Sequence, residues 1–269
     1  MTSKTTLREN LKNDVIVVKI GGSTLGVGDS TLFDVMDLKK SGHRVVIVHG
    51  GGKQISEWAS KLGIRPEFIK GLRRTNLETM EVAIGVLAGL INTKIVNELN
   101  MNGASAVGFS GVSDGLFGAK IKDQNLGLVG EIIECNVVSL LSILDFSIPV
   151  VSPIAFNLDF NDIEKDGILN VNADTAAGYL AKSLNADKLI FQSDVEGVLD
   201  FNGRVIPHMT TSQANDIINT GIAKGGMIPK LQACINSLSN VTSTHIIDGR
   251  INGALSDCVA NKKIGTRII

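Results

Sequence analysis

Cysteine is scarce: only Cys135, Cys234 and Cys258 occur in 269 residues, an odd number, widely spaced and in no CxxC arrangement. That suggests neither a disulfide framework nor a zinc site and fits a reducing cytoplasm. An excess of one charge is also missing. With 26 Lys+Arg against 27 Asp+Glu the formal net charge is -1, so no global field attracts a polyanion and any phosphate binding has to come from local geometry. Long apolar runs are lacking too. The stretch 1–14 is polar and mixed in charge with no apolar h-region, and no run approaches the roughly 18 to 20 apolar residues that span a bilayer. The expectation is a soluble, cytoplasmic protein without a membrane or nucleic-acid partner. Neither common phosphate fingerprint is present, since there is no GxxxxGK[ST] and no GxGxxG that follows a strand and opens a helix.

What is present is 43% hydrophobic content, enough for a large core, in a chain with no repeat, low-complexity tract or Pro-rich linker. The expectation is one domain over 14–269, with an N-terminal lobe 14–170 and a C-terminal lobe 171–269. Short β-branched runs recur at 15–20, 45–48, 104–107, 149–151, 189–192 and 244–247. Segments of helical periodicity lie between and around them, at 31–40, 53–62, 77–99, 137–144, 173–184, 211–220 and 226–239. This alternation predicts an α/β fold, a mostly parallel central sheet sandwiched between helices. Hydrophobicity is continuous rather than alternating in 15–18 and 45–48, which makes those strands central, covered on both faces. An antiparallel hairpin is expected over 119–135, extending the sheet, and a second over 154–171. The helix 77–99 carries Met80, Ile84, Leu87, Leu90, Ile91 and Ile95 on more than one face, which predicts a homodimer through it, the alternative being a central helix buried within the monomer.

The 29 glycines cluster where strands or loops meet helices: Gly21-Gly22, Gly50-Gly51-Gly52 and Gly225-Gly226. At such ends of an open α/β sheet, backbone N–H groups can approach an anion without a Cβ in the way. Lys19 stands inside the apolar run just before Gly21-Gly22, where an unpaired ammonium is costly and a bound phosphate would be a partner. In Asn170-Val171-Asn172-Ala173-Asp174-Thr175-Ala176-Ala177-Gly178, Asn172 can cap the following helix, with Asp174 in its first turn. Lys230 follows Gly225-Gly226-Met227-Ile228-Pro229, an unfavourable place for a cation against the helix dipole unless an anion sits beside it.

Together these segments resemble the amino-acid-kinase family over nearly the whole chain from Val15 to Ile269. The matching stretches are Val18-Lys19-Ile20-Gly21-Gly22-Ser23, Val48-His49-Gly50-Gly51-Gly52, Gly71-Leu72-Arg73, Gly108-Phe109-Ser110-Gly111, 170–177, Ser193-Asp194-Val195-Glu196-Gly197-Val198, 225–230 and His245-Ile246-Ile247-Asp248-Gly249-Arg250. The resemblance implies the amino-acid-kinase fold and ATP-dependent phosphorylation of the side-chain carboxylate of N-acetyl-L-glutamate, a step of arginine biosynthesis. It implies that Lys19 and Lys230 flank the transferring phosphoryl group and that Asp174 orients both. The carboxylate substrate would lie against the backbone N–H groups of Gly51 and Gly52, with Arg73 and Asn170 holding its other polar groups. ATP would lie over Gly21, Gly22, Ser193, Asp194, Gly197, Gly225 and Gly226, with Mg2+ bound mainly through its phosphates and no protein metal ligands.

Phosphoryl transfer asks mostly for alignment and charge neutralisation, and a carboxylate is already a nucleophile at neutral pH, so no general base is needed. His43, His49, His208 and His245 are therefore expected to be structural. Arg74, Asn76 and Gln192-Ser193 depart from the family pattern. Two rival readings share most of these motifs. One is a kinase for carrier-bound aminoadipate or glutamate, with a basic rim of Lys70, Arg73 and Arg74; the other is a catalytically silent nucleotide-binding module.

Overall fold

A computed structural model describes residues 15–21, 30–69, 71–159 and 167–269. The strands, in chain order, are β1 Val15–Ile20, β2 Arg44–His49, β3 Phe68–Ile69, β4 Leu72–Arg73, β5 Ala106–Ser110, β6 Phe117–Ile121, β7 Gly130–Cys135, β8 Ile148–Ser152, β9 Ile154–Asn157, β10 Ile168–Asn170, β11 Lys188–Ser193, β12 His208–Met209, β13 Ser243–Asp248 and β14 Thr266–Ile268.

An eight-stranded sheet runs β12-β14-β13-β11-β1-β2-β8-β5. Its pairings are parallel except β13 with β14. Every residue of β1 is buried, and its side chains divide by strand period between two cores. Val15 and Val17 join Val46 and Val48 on one face, while Ile16, Val18 and Ile20 join Val45 and Ile47 on the other. This is the two-sided covering that continuous hydrophobicity predicts. After β1 the chain moves outward through β2, and later returns to β1's other side as β11. The carboxyl ends of β1, β2 and β11 thus flank a topological switch point, where open α/β sheets bind ligands.

The hairpin expected over 119–135 forms, as β6 against β7, but it does not extend the main sheet. It belongs to a separate four-stranded sheet, β10-β9-β6-β7, because β6 also pairs with β9. The chain crosses between the sheets at Pro153, the one residue between β8 and β9, where a missing N–H suits departure from a ladder. The second expected hairpin is β9 against β10. The run 104–107 shifts to Ala106–Ser110, because the Ala104 N–H closes the preceding helix on the Leu99 carbonyl at 3.0 Å.

Helices cover both faces, among them Thr31–Lys40, Gly52–Lys61, Ala173–Ser183, Met227–Ser237 and the unanticipated Ala254–Val259. Leu77–Met101 is a single 25-residue helix whose middle, Gly85–Ile91, is wound as a π-helix. By length and composition it could cross a bilayer, contrary to the run-based expectation, yet half of its apolar window is buried in the protein. Met80, Ala83, Leu87, Ile91, Ile95 and Leu99 pack into the core shared with Ile47 and Val150.

Candidate active site

Lys19, the fifth residue of β1, is 7% exposed, and burying an ammonium there needs a counter-charge. The helix Ala173–Ser183 supplies it. The Asn172 side chain caps that helix, its Oδ1 accepting from the Asp174 N–H at 2.9 Å and the Thr175 N–H at 3.1 Å. This sets Asp174 in the first turn, 5% exposed, where the helix dipole favours a carboxylate. Lys19 Nζ lies 2.7 Å from Asp174 Oδ1. Lys230, in the first turn of Met227–Ser237, donates from Nζ to Asp174 Oδ2 at 3.1 Å. Burial pushes the Asp174 carboxyl up, but the two ammonium groups overcome it and hold the group below the usual range. Burial lowers Lys19, opposed by Asp174 and reinforced by Lys230. Two cations on one anion leave the cluster one positive charge in excess, which suits a phosphoryl group.

Beside this cluster opens a cleft of about 230 Å³, lined by Lys19, Asp174, Gly51, Gly52, Arg73 and Asn170 among others. The structure therefore brings together the expected catalytic triad and the expected substrate residues. Arg73, on the short hairpin of β3 and β4, is buried. Its Nη2 donates to the Gly52 carbonyl at 2.7 Å and to Ser56 Oγ at 2.8 Å, and its guanidinium lies 4.8 Å from the Phe68 ring centroid. Its Nη1 is buried with no acceptor among the described residues, an unmet donor that a carboxylate oxygen would satisfy. Asn170 ends β10 and donates from Nδ2 to Thr75 Oγ1 at 3.2 Å. Gly51 is pressed on the helix Leu77–Met101: a Cβ there would come within 2.5 Å of Ile91 Cδ1 and 2.7 Å of Leu87 Cδ2. Gly52 opens its own helix, Gly52–Lys61, where the first N–H groups have no intrahelical acceptor.

None of the described residues expected to hold a nucleotide is among those that line this cleft. Gly21 follows β1, and Gly22 lies outside the described residues. Ser193 ends β11 and donates from Oγ to Asp194 Oδ1 at 3.3 Å. Asp194 is near enough to Lys19 to stabilise its charge. Gly225, with φ +54°, takes the left-handed turn into Gly226 and the Lys230 helix, with open space around both α-carbons. Gly197 has a packing reason instead, since a Cβ there would meet Thr266 Oγ1 at 2.7 Å.

The basic rim is neutralised at Arg74, whose Nη1 pairs with Glu67 at 2.8 Å; Lys70 lies outside the described residues. Asn76, another departure from the family pattern, caps the helix Leu77–Met101, its Oδ1 accepting from the Thr79 N–H at 2.9 Å. Beside Ser193, Arg250 grips Asp248 through a fork of 2.9 and 2.7 Å, and that guanidinium holds the Asp248 carboxyl below its ordinary range.

The profile of the Amino acid kinase family matches residues 14–248. An acetylglutamate kinase of Dehalococcoides mccartyi is 35% identical over 260 residues, covering 96% of each chain. One of Helicobacter hepaticus is 41% identical over 266 residues, 96% of this chain and 93% of the relative. A crystal structure from Streptococcus mutans UA159 superposes with a TM-score of 0.80 at 29% identity, over 96% of this chain and 99% of that one. A doubly covered sheet, two lysines meeting on one carboxylate at its switch point, and likeness over nearly full length agree: the chain belongs to the amino acid kinase family.

Proposed function

We propose that this chain phosphorylates the side-chain carboxylate of N-acetyl-L-glutamate with ATP, giving N-acetyl-L-glutamyl 5-phosphate and ADP, within arginine biosynthesis. The observation that carries the reading is the convergence of Lys19 and Lys230 on Asp174 at the edge of a cleft that also holds Arg73 with an unmet donor. The relatives named acetylglutamate kinase support the choice of acceptor.

In this mechanism the acceptor carboxylate lies against the Gly51 and Gly52 N–H groups, while Arg73 and Asn170 hold the other polar groups of the substrate. One carboxylate oxygen attacks the γ-phosphorus, the bond from phosphorus to the β–γ bridging oxygen breaks, and ADP leaves with that oxygen. No proton has to be removed from the nucleophile. Lys19 and Lys230 neutralise charge on the phosphoryl and leaving oxygens, and Asp174 keeps both ammonium groups aimed at that point. Two ammonium groups, backbone amides and the Gly225-Gly226 turn form a donor set suited to phosphate oxygens. Mg2+ would be held mainly through the ATP phosphates and would supply further charge neutralisation there. The N-terminal lobe 14–170 takes the acyl amino acid and the C-terminal lobe 171–269 takes ATP.

The same reading includes a homodimer through the helix Leu77–Met101. A groove of about 1110 Å³ on that helix is lined by Trp58, Leu62, Val82, Val86 and Leu90, and Trp58 and Leu62 are exposed. A monomeric mass by light scattering contradicts it. The activity is tested by ADP release with N-acetyl-L-glutamate against glutamate, aspartate, α-aminoadipate and UMP. Highest kcat/KM with N-acetyl-L-glutamate is expected; turnover only with another acceptor refutes the assignment.

A further inference from the structure

His49 and Asn92 are 43 residues apart and buried, at 0% and 5% exposure. They meet beside Gly50, which lines the cleft. His49 Nδ1 lies 3.1 Å from the Gly50 carbonyl, and His49 Nε2 lies 3.2 Å from Asn92 Nδ2. A carbonyl only accepts, so Nδ1 carries the proton; Nε2 is then the acceptor and Asn92 the donor. The neutral imidazole this requires agrees with burial, which lowers His49 to about 4. Asn92 is itself anchored, donating to the Val150 carbonyl of β8 at 2.8 Å, and it follows directly on the π-helical stretch Gly85–Ile91.

The consequence lies in the peptide plane. The Gly50 carbonyl and the Gly51 N–H belong to one trans peptide unit and point in opposite directions. The Gly50 N–H is fixed on the Ile20 carbonyl at 2.9 Å, and the Gly51 carbonyl accepts from the Ile55 N–H at 2.9 Å. The remaining freedom of the Gly50–Gly51 plane is removed by His49, which draws the Gly50 carbonyl to itself. The Gly51 N–H, which has no acceptor among the described residues, is thereby aimed away from the imidazole. Leu87 and Ile91, on the π-helical stretch, close the space behind Gly51, and Leu87 also lines the cleft.

We infer that His49 and Asn92 are positioning residues that set the aim of the Gly51 N–H and with it the affinity for the acceptor carboxylate. The inference rests on the proposed placement of that carboxylate against Gly51 and Gly52. Neither side chain touches substrate; each acts through the peptide between Gly50 and Gly51.

The test compares two substitutions at one position. Asn carries its amide nitrogen near the place of an imidazole Nδ1, whereas Gln carries it near Nε2. His49→Asn therefore keeps the donor to the Gly50 carbonyl and His49→Gln loses it. His49→Gln and Asn92→Leu are expected to raise the KM for N-acetyl-L-glutamate by at least about 10-fold while the KM for ATP stays within about twofold; for His49→Asn the rise is under about threefold. A purely structural role predicts KM unchanged in both variants and a lower active fraction instead, lower in His49→Asn than in His49→Gln because Asn leaves the larger cavity. KM for the acceptor equal in His49→Gln and His49→Asn overturns the inference while wild-type turnover keeps the proposed activity standing. A wild-type protein that releases no ADP with N-acetyl-L-glutamate overturns both.

Discussion

Replacing Lys19 by Met removes one of the two cations while keeping the stem's volume in the strand. Lys19 Nζ is 2.7 Å from Asp174, and Lys230 is 3.1 Å from the same carboxylate, so the variant leaves Asp174 with one partner and no uncompensated charge. Loss of one preorganised donor to transition-state charge costs about 100- to 1000-fold in kcat, or ~2.7–4 kcal/mol. Stability should move the other way or not at all, because burial disfavours the Lys19 ammonium and already lowers its pKa. At roughly 2–4 °C per kcal/mol for a chain of this size, Tm is expected to hold or rise by a few degrees. Initial rates of ADP release at saturating ATP and acceptor, with a thermal melt of the same preparation, read both quantities. A kcat within about threefold of wild type refutes the assigned role. A large fall in Tm refutes the electrostatic description of the cluster.

Asp174→Asn has the opposite stability sign: two buried ammonium groups lose their shared anion, an expected loss of about 3–5 kcal/mol, visible in urea unfolding and partly recovered when ATP is added. Arg73→Ala should chiefly raise the KM for the acceptor carboxylate, in a steady-state titration, with kcat changed much less. Acidification should destabilise the protein between about pH 6.5 and 3, because burial depresses His49 to about 4 and His245 to about 3 in the folded state. The unfolded chain then binds more protons than the folded one, and that contribution, up to about 3 kcal/mol for His49, is present above pH 6.5 and lost as pH falls. Urea midpoints across that range should show a flatter slope in His49→Asn; an identical slope contradicts the buried neutral imidazole.

Much of this molecule is legible in the order of its residues because its strong signals are local. The six residues of β1 read as a central strand by uninterrupted burial, and Lys19 stands out because it is the one charge among them. Asn172 and Asp174 announce a capped helix start, which is what forms. The parts that escape are those fixed by distance in sequence. A hairpin pattern over 119–135 says that two strands pair, but not which sheet receives them, and here the β9 strand decides. Strands β12 and β14, at one end of the main sheet, have two and three residues, too few for a periodicity. The salt bridge from Arg74 to Glu67 and the hydrogen bond from Asn92 to His49 join residues with no motif between them. A lone buried histidine gives no sign of its partner until the fold brings the helix Leu77–Met101 beneath the glycine turn.

The central claim is that Lys19 and Lys230 meet where a carboxylate receives a phosphoryl group, and trapping of the product with hydroxylamine tests it most directly. With ATP, Mg2+ and N-acetyl-L-glutamate the wild-type protein should form a hydroxamate in step with ADP, and Lys19→Met and Lys230→Met should each form it at about one hundredth of that rate or less. ADP release without hydroxamate, or wild-type rates in both lysine variants, would contradict the account.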